Sequence, residues 1–281
     1  HGLKPSDVSI SKEALELIIS DYTRESGVRN LRRRIADILR KVAKNILTKK
    51  NEGKISVTAK NLKEFLEKKV YEIEPADKKD QIGLVNGLAW TSVGGDVLRI
   101  EAIRIQGKGS MQITGQLGDV MKESAQIAFS VVKVLIDNKK IKVPMTIVPK
   151  FDDDKHKLEA SDVYRRYDLH LHVPEGAVPK DGPSAGITMA TAIASILTDT
   201  KVKHDIAMTG EITLTGRVLP IGGLKEKLIA AHKAGIKTAL IPRKNYDRDL
   251  IDIPAEVKAD MKIIAVDTID DVLKNALVAK K

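Results

Sequence analysis

The 281-residue sequence predicts an α+β chain in two parts, a helical segment over residues 1–74 and a mixed α/β region over 75–281. Three observations predict it. In the first part, apolar residues recur at three- and four-residue spacing, the mark of amphipathic helices. Alternation at period two, the mark of half-buried strands, sets in only past Trp90. Between the two lies Glu74-Pro75-Ala76-Asp77-Lys78-Lys79-Asp80, which is charged, carries a proline and lacks periodicity, so it reads as a linker.

Each element follows from its spacing. Leu15, Ile18 and Ile19 form one apolar helical face, and Leu31, Ile35, Ile38, Leu39, Val42 and Ile46 form a second. Ile55 and Val57 indicate a short strand, and Leu62, Phe65 and Leu66 a last short helix. Past the linker, Leu98, Ile100 and Ala102 alternate with Arg99, Glu101 and Arg104, and the pattern resumes at Met111 to Ile113. With Gly107-Lys108-Gly109-Ser110 between them, these stretches predict a hairpin. Residues 118–136 read as a helix. The stretch 141–163 reads as irregular, with Pro144, Pro149 and a solvated loop at Asp152-Asp153-Asp154 beside His156. Leu169 to Val173 alternates again, and 184–198 is helical and so apolar that burial is expected.

Ile206 to Leu214 and Arg217 to Ile221 predict a second hairpin around Thr215-Gly216. A helix at 224–235, a strand at Thr238–Ile241, a short helix at 247–251, a strand at Met261–Val266 and a helix at 268–279 complete the pattern. No repeat or low-complexity tract interrupts it. Strands and helices interleave without a strict βαβ rhythm, which favours a mixed sheet.

Composition excludes several classes. With no cysteine there is no disulfide framework, thiol nucleophile or Cys-ligated zinc. No apolar run reaches the roughly 18 residues of a membrane span, and no charged-then-apolar leader is present. The expectation is a cytoplasmic chain with no membrane partner. It opens at His1 and reads as a piece of a longer polypeptide. The net charge is +10, with 17 Lys/Arg against 11 Asp/Glu in residues 1–75, so acidic partners such as non-specific DNA enter the list. A solvated basic helix face accounts for the same excess. Only 3% of residues are aromatic, and Trp90 and Tyr167 stand too far apart to form a base-stacking platform.

Two residues carry candidate chemistry. Ser184 follows Gly182-Pro183 at the start of the apolar helix, where unpaired N–H groups and the positive end of the dipole suit a developing oxyanion. A serine there also serves simply as a cap. Lys227 lies in the helix that follows Pro220-Ile221-Gly222-Gly223, on the same side as Leu224, Leu228, Ala231 and Ala234. Lys225, Glu226, His232 and Lys233 take the opposite side. Burial lowers a lysine's pKa from about 10.4 and leaves a neutral amine able to deprotonate a serine. The alternative is a lysine whose stem crosses apolar surface and whose head reaches solvent.

The motifs Pro179-Lys180-Asp181-Gly182-Pro183-Ser184-Ala185-Gly186, Thr209-Gly210-Glu211-Ile212-Thr213-Leu214-Thr215-Gly216-Arg217-Val218-Leu219-Pro220-Ile221-Gly222-Gly223 and Leu224-Lys225-Glu226-Lys227 closely resemble the proteolytic domain of bacterial Lon, the ATP-dependent AAA+ protease family. Tyr22-Thr23-Arg24-Glu25-Ser26-Gly27-Val28-Arg29-Asn30-Leu31 is similar to the small helical (lid) AAA+ subdomain of that family. The resemblance runs over most of the chain.

It implies a lid over 1–74, a Lon-type proteolytic domain over 75–281, Ser184 as nucleophile and Lys227 as general base. It further implies that Arg29 is a sensor arginine near nucleotide phosphates, that Thr209 helps hold the lysine, and that Asp181 and Glu211 line the site and either orient the lysine or silence it by pairing. The implied substrates are unfolded or regulatory proteins, the implied assembly a homohexamer, and the implied cofactors ATP and Mg in the full-length protein. The peptidase chemistry itself needs no cofactor and no metal. No Gly-x-x-x-x-Gly-Lys-Ser/Thr loop is present, so this chain should lack ATPase activity by itself. The 141–163 stretch looks longer than its family counterpart.

Other signals carry less. Gly107-Lys108-Gly109-Ser110 lacks phosphate-loop spacing and reads as a turn. His170 and His172 share one strand face, yet no third ligand is spaced to join them. Two rival readings remain, a basic DNA-binding module and a ring-assembly module whose site is inactive.

Overall fold

The computed structural model describes residues 1–48, 53–71, 75–91, 93–150, 157–175 and 178–279, so the Asp152–Asp154 run and His156 lie outside the described residues. The chain divides into two compact units, His1–Glu74 and Pro75–Lys281.

The first unit comprises β1 (Val8–Ile10), α1 (Lys12–Leu17), a π-turn at Ile18–Tyr22, α2 (Arg29–Leu47), β2 (Ile55–Val57) and α3 (Leu62–Leu66). Ser11 caps α1 by accepting the Ala14 N–H. Ile18, Tyr22, Ile38, Val42, Leu62, Phe65 and Leu66 form its core. The expected first face is half right. Ile18 is buried while Leu15 and Ile19 are exposed, because the π-turn shifts the register of the face that points inward. β1 was not expected from the sequence; it pairs in parallel with β2.

The second unit runs β3 (Leu84–Thr91), β4 (Gly94–Gln106), β5 (Met111–Thr114), α4 (Asp119–Asp137), α5 (Asp162–Arg166), β6 (Tyr167–His172) and α6 (Gly186–Thr198). It continues with β7 (Ile206–Met208), β8 (Glu211–Ile212), β9 (Val218–Leu219), α7 (Leu224–Lys233), β10 (Thr238–Pro242), α8 (Arg243–Asp249), α9 (Ala255–Asp260), β11 (Lys262–Val266) and α10 (Ile269–Ala276). Seven strands form one sheet in the order β11-β10-β7-β3-β4-β6-β5. It is mixed: β3–β4 and β4–β6 are antiparallel, and the remaining pairs are parallel. Between Pro144 and Tyr167 the described residues hold only a 3-10 turn at Met145–Ile147 and the short α5.

The expected hairpin of 97–105 with 111–113 does not form. β6 inserts between β4 and β5, antiparallel to one and parallel to the other. Alternation reveals a strand but not its neighbour. The hairpin that does form is β3–β4, and β3 shows no alternation because Val85 to Leu88 are buried together. The 107–110 segment therefore leads over the start of β6, where Lys108 N–H and Ser110 N–H donate to Asp168 Oδ1 at 2.9 and 2.8 Å. A carboxylate of the protein fills this N–H concavity, which explains a phosphate-loop look without phosphate spacing.

The second expected hairpin forms between β8 and β9, but the 206–214 stretch breaks at Thr209-Gly210, with β7 in the main sheet and β8 outside it. The sheet is covered on both faces. β10 shows this by alternation: Leu240 joins the core with α4, α6 and α10, while Ala239 and Ile241 join the core with α7 and α9.

Candidate active site

α6 and α7 approach from opposite faces of the sheet and meet beyond the carboxyl end of β7, where a parallel sheet opens to ligands. Gly182 turns the chain at φ 125°, a conformation that favours glycine, and Pro183-Ser184-Ala185 forms a 3-10 turn leading into α6. Gly210 N–H donates to the Ser184 carbonyl at 2.8 Å and Ile187 N–H to the Gly210 carbonyl at 3.1 Å, so the serine turn is stitched to the strand exit. Gly186 allows this closeness; a Cβ there would lie 2.7 Å from Ile212 Cγ2 and 2.9 Å from its N.

Lys227 comes from the first turn of α7 and is 3% exposed. Its Nζ donates to Ser184 Oγ at 3.1 Å and to Thr209 Oγ1 at 3.0 Å. Thr209, fully buried, donates in turn to the Ser184 carbonyl at 3.3 Å. Burial pushes the lysine pKa down to about 8, far below the ordinary 10.5. The amine thus sits at the end of its stem between two hydroxyls of one network, rather than reaching solvent. Burial, contact with a hydroxyl and a neutral form near physiological pH are what a general base needs.

Asp181 and Glu211 do not pair with this amine. Asp181 Oδ1 accepts the N–H of Gly182 at 2.8 Å and of Met121 at 3.0 Å, capping the start of α4. Among the described residues Lys227 has no ion-pair partner, so neither silencing nor orientation by an acid occurs in this conformation. Arg29 is exposed at the first position of α2, far along the chain in the first unit. Glu25 accepts the N–H of Asn30 and Leu31 at 2.8 and 2.9 Å, so that helix start is already capped. His170 and His172 both hydrogen-bond to Thr114 Oγ1, at 3.0 and 2.7 Å. Another exposed group, His232 with Glu256 and Asp260, holds an imidazole–carboxylate contact of 2.9 Å on the last turn of α7, away from the lysine end.

One residue that sequence reasoning passed over shapes the site. Gly95, in β4, faces the α7 backbone, where a Cβ would lie 2.0 Å from the Glu226 carbonyl oxygen and 2.9 Å from Lys227 N. The signal is the Gly94-Gly95 pair just ahead of the alternating stretch, since glycines in a strand mark close backbone approach.

Residues 56–279 match the family profile of the Lon protease (S16) C-terminal proteolytic domain, and residues 1–55 that of the Lon protease AAA+ ATPase lid domain. The chain belongs to the Lon protease family. It is 99% identical over 281 residues to the Lon protease of Campylobacter concisus, covering 100% of this chain and 35% of that relative. It is 64% identical over 280 residues to the Lon protease of Campylobacter jejuni, covering 99% of this chain and 34% of that relative. It is 48% identical over 281 residues to Lon protease 1 of Bacillus subtilis, covering 100% and 34%.

The chain thus spans about a third of the length of these Lon relatives. The Lon profiles divide at residue 55, whereas the compact units divide at 74. The difference has a physical cause: β2 pairs with β1, and Leu62, Phe65 and Leu66 pack on the Ile38–Val42 core, which draws 56–66 into the first unit. Among the described residues no helix is long and apolar enough to cross a membrane.

Proposed function

We propose that this Lon proteolytic domain is a serine peptidase working through a Ser184–Lys227 dyad, with residues 1–74 as the lid and 75–281 as the proteolytic domain. The observation that carries the proposal is the buried amine 3.1 Å from Ser184 Oγ. Neutral Lys227 takes the hydroxyl proton as Oγ attacks the substrate carbonyl carbon. Backbone N–H groups of the serine turn donate to the resulting oxyanion. The lysine ammonium then returns its proton to the departing amine. A water deprotonated by the same amine hydrolyses the ester and regenerates the hydroxyl.

An extended substrate suits this site. β3 pairs with β7 only at Asn86 and Gly87, and beyond them it runs beside both the serine turn and α7. The edge of Leu88 to Thr91 that β4 does not use can accept a peptide as an added strand. Cleavage in an extended form favours unfolded and regulatory proteins over stable folded ones.

The longer protein is proposed to be an ATP-dependent cytoplasmic homohexamer. Of this chain's residues, Arg29 is the one offered to nucleotide phosphates; with Glu25 capping the start of α2, the contact it offers is its guanidinium. ATP, when bound with Mg, supplies the work of unfolding and takes no part in acyl transfer.

The test is hydrolysis of small unstructured peptides by wild type, Ser184→Ala and Lys227→Ala, each checked for folding by circular dichroism. Both variants are expected to be inactive. Normal turnover by either folded variant overturns the dyad.

A further inference from the structure

We infer that Asn245 is a positioning residue for the catalytic lysine, an inference that rests on the Ser184–Lys227 reading above. Asn245 is fully buried in α8, on a stretch whose sequence predicts a helix only from residue 247. Its side chain reaches across to the loop that launches α7. Nδ2 donates to the Ile221 carbonyl at 2.8 Å, and Oδ1 accepts the Ile221 N–H at 2.9 Å. The second Nδ2 hydrogen goes to Asp249 Oδ2 at 2.7 Å. Arg248 Nη2 donates to the same Oδ2 at 2.8 Å.

The amide therefore has every strong hydrogen-bonding group engaged, and Asp249 dictates which way round it sits. Ile221 belongs to no strand, so Asn245 supplies both partners its buried backbone requires. No other side chain does the same: Asp cannot donate, Gln is a methylene too long, and an apolar isostere leaves both Ile221 groups unpaired.

The clamp lies two residues ahead of the first carbonyl of the lysine helix. Ile221, packed with Leu224 and Leu228, fixes where Gly222-Gly223 must run. Gly223 adopts a left-handed φ of 66° against Trp90, where a Cβ would lie 2.6 Å from the ring. The Gly223 carbonyl accepts the Lys227 N–H at 3.1 Å. From Asn245 through Ile221 and Gly223, a single covalent and hydrogen-bonded path sets the height of Lys227 above Ser184. Displacement of a reacting group by about 1 Å costs on the order of 100-fold in rate. A loosened loop also lets water reach the amine and weakens the desolvation that depresses its pKa.

The experiment compares peptide hydrolysis by Asn245→Ala, Asp249→Asn and Lys227→Ala across pH, with folding followed by circular dichroism. Asn245→Ala is expected to lose about 10–100-fold in kcat with little change in KM. Its alkaline-going activity limb should move up from about 8 toward ordinary lysine values. Asp249→Asn, which removes the charge that orients the amide and keeps the clamp atoms, should shift both in the same direction by less. A role confined to stability predicts instead a lowered melting temperature with kcat per folded molecule and the pH limb unchanged, and that result overturns the inference. Should Asn245→Ala fail to fold, Asp249→Asn decides: wild-type kcat and limb refute positioning. Normal turnover by Lys227→Ala refutes the dyad itself, whereas an inactive Lys227→Ala beside an unaffected Asn245→Ala refutes positioning alone.

Discussion

The serine and the lysine arrive on helices of opposite character. Every residue of α6, Gly186 to Thr198, is buried; Thr191 Oγ1 bonds back to the Ile187 carbonyl at 2.8 Å and Thr198 Oγ1 to the Ala194 carbonyl at 2.7 Å, while Thr188 and Ser195 tie the helix to the Met208 and Thr200 carbonyls. In α7 only Leu224, Lys227, Leu228 and Ala231 are buried, and the rest of the helix is half-exposed or exposed. The serine is thus held by a core that cannot shift without unfolding. The lysine is held by a few contacts at the start of a surface helix. Damage on the first side should cost stability, and damage on the second should cost rate.

The largest expected effect breaks the pair while keeping this contrast. Ser184→Ala and Lys227→Met should each lower peptide turnover by about 10⁴-fold or more. Their stabilities should diverge. Ser184→Ala loses one hydroxyl contact and should stay near wild type. Lys227→Met removes an amine whose folded pKa, about 8, lies below the ordinary 10.5. The unfolded chain therefore binds that proton more readily, and the penalty on the native state is complete below about pH 8 and fades as pH rises toward 10.5. Relief of it, less two lost hydrogen bonds, should stabilise Lys227→Met by roughly 1–2 kcal/mol at pH 7. Urea denaturation at pH 7 and pH 10 measures the gain and its shrinkage. A methionine variant less stable than wild type at both values would show that the lysine is not desolvated.

A matched pair of glycine substitutions tests the two sides directly. Gly95→Ala drives a methyl into the Glu226 carbonyl and should displace the lysine helix, lowering kcat about 100-fold with a modest loss of stability. Gly186→Val pushes into Ile212 and Ser124 inside the rigid core and should cost about 1–3 kcal/mol of stability. Calorimetry and peptide kinetics on both variants decide. If Gly95→Ala unfolds the domain while Gly186→Val mainly slows it, the assignment of rigidity to the serine side is reversed.

The same contrast governs what the sequence reveals. α6 is legible because an unbroken apolar run long enough for a helix has few other uses, and Lys227 because a charge within an apolar arc violates its own pattern. β3 is illegible for the opposite reason: a central strand buried on both faces has no alternation, and Asn86-Gly87 within it resembles a turn. The β4–β5 hairpin fails because alternation carries no information about pairing, and β6, more than fifty residues along the chain, enters between them. The role proposed for the serine rests on family resemblance, since Ser184 alone fits a cap. Gly95 is signalled only by its pairing with Gly94. Asn245 carried no signal, because its partners are set by tertiary packing rather than by neighbours in the chain.

Next in size is the pH dependence of the intact protein. On the proposed dyad the neutral amine is the active form, so kcat/KM should rise about tenfold between pH 7 and 9, through the lysine's pKa of about 8. An activity limb near 10.5 would contradict a desolvated base.

The smallest effect sharpens the comparison most. Thr209→Val keeps the volume near the amine but deletes the hydroxyl that accepts from Nζ at 3.0 Å. An ammonium loses more than an amine when an acceptor is removed, because charge-assisted hydrogen bonds are the stronger. The lysine pKa in Thr209→Val should therefore fall further, moving the activity limb below about 8, while the plateau rate drops roughly fivefold as the amine loses one of its two anchors. Loosening the lysine helix from outside, at Asn245, moves the limb the opposite way by admitting water. Two variants on either side of one lysine, both slower and yet with limbs displaced in opposite directions, separate the polar anchoring of the amine from the packing that keeps it dry. A common direction for both would mean that a single cause, solvent entry, accounts for each.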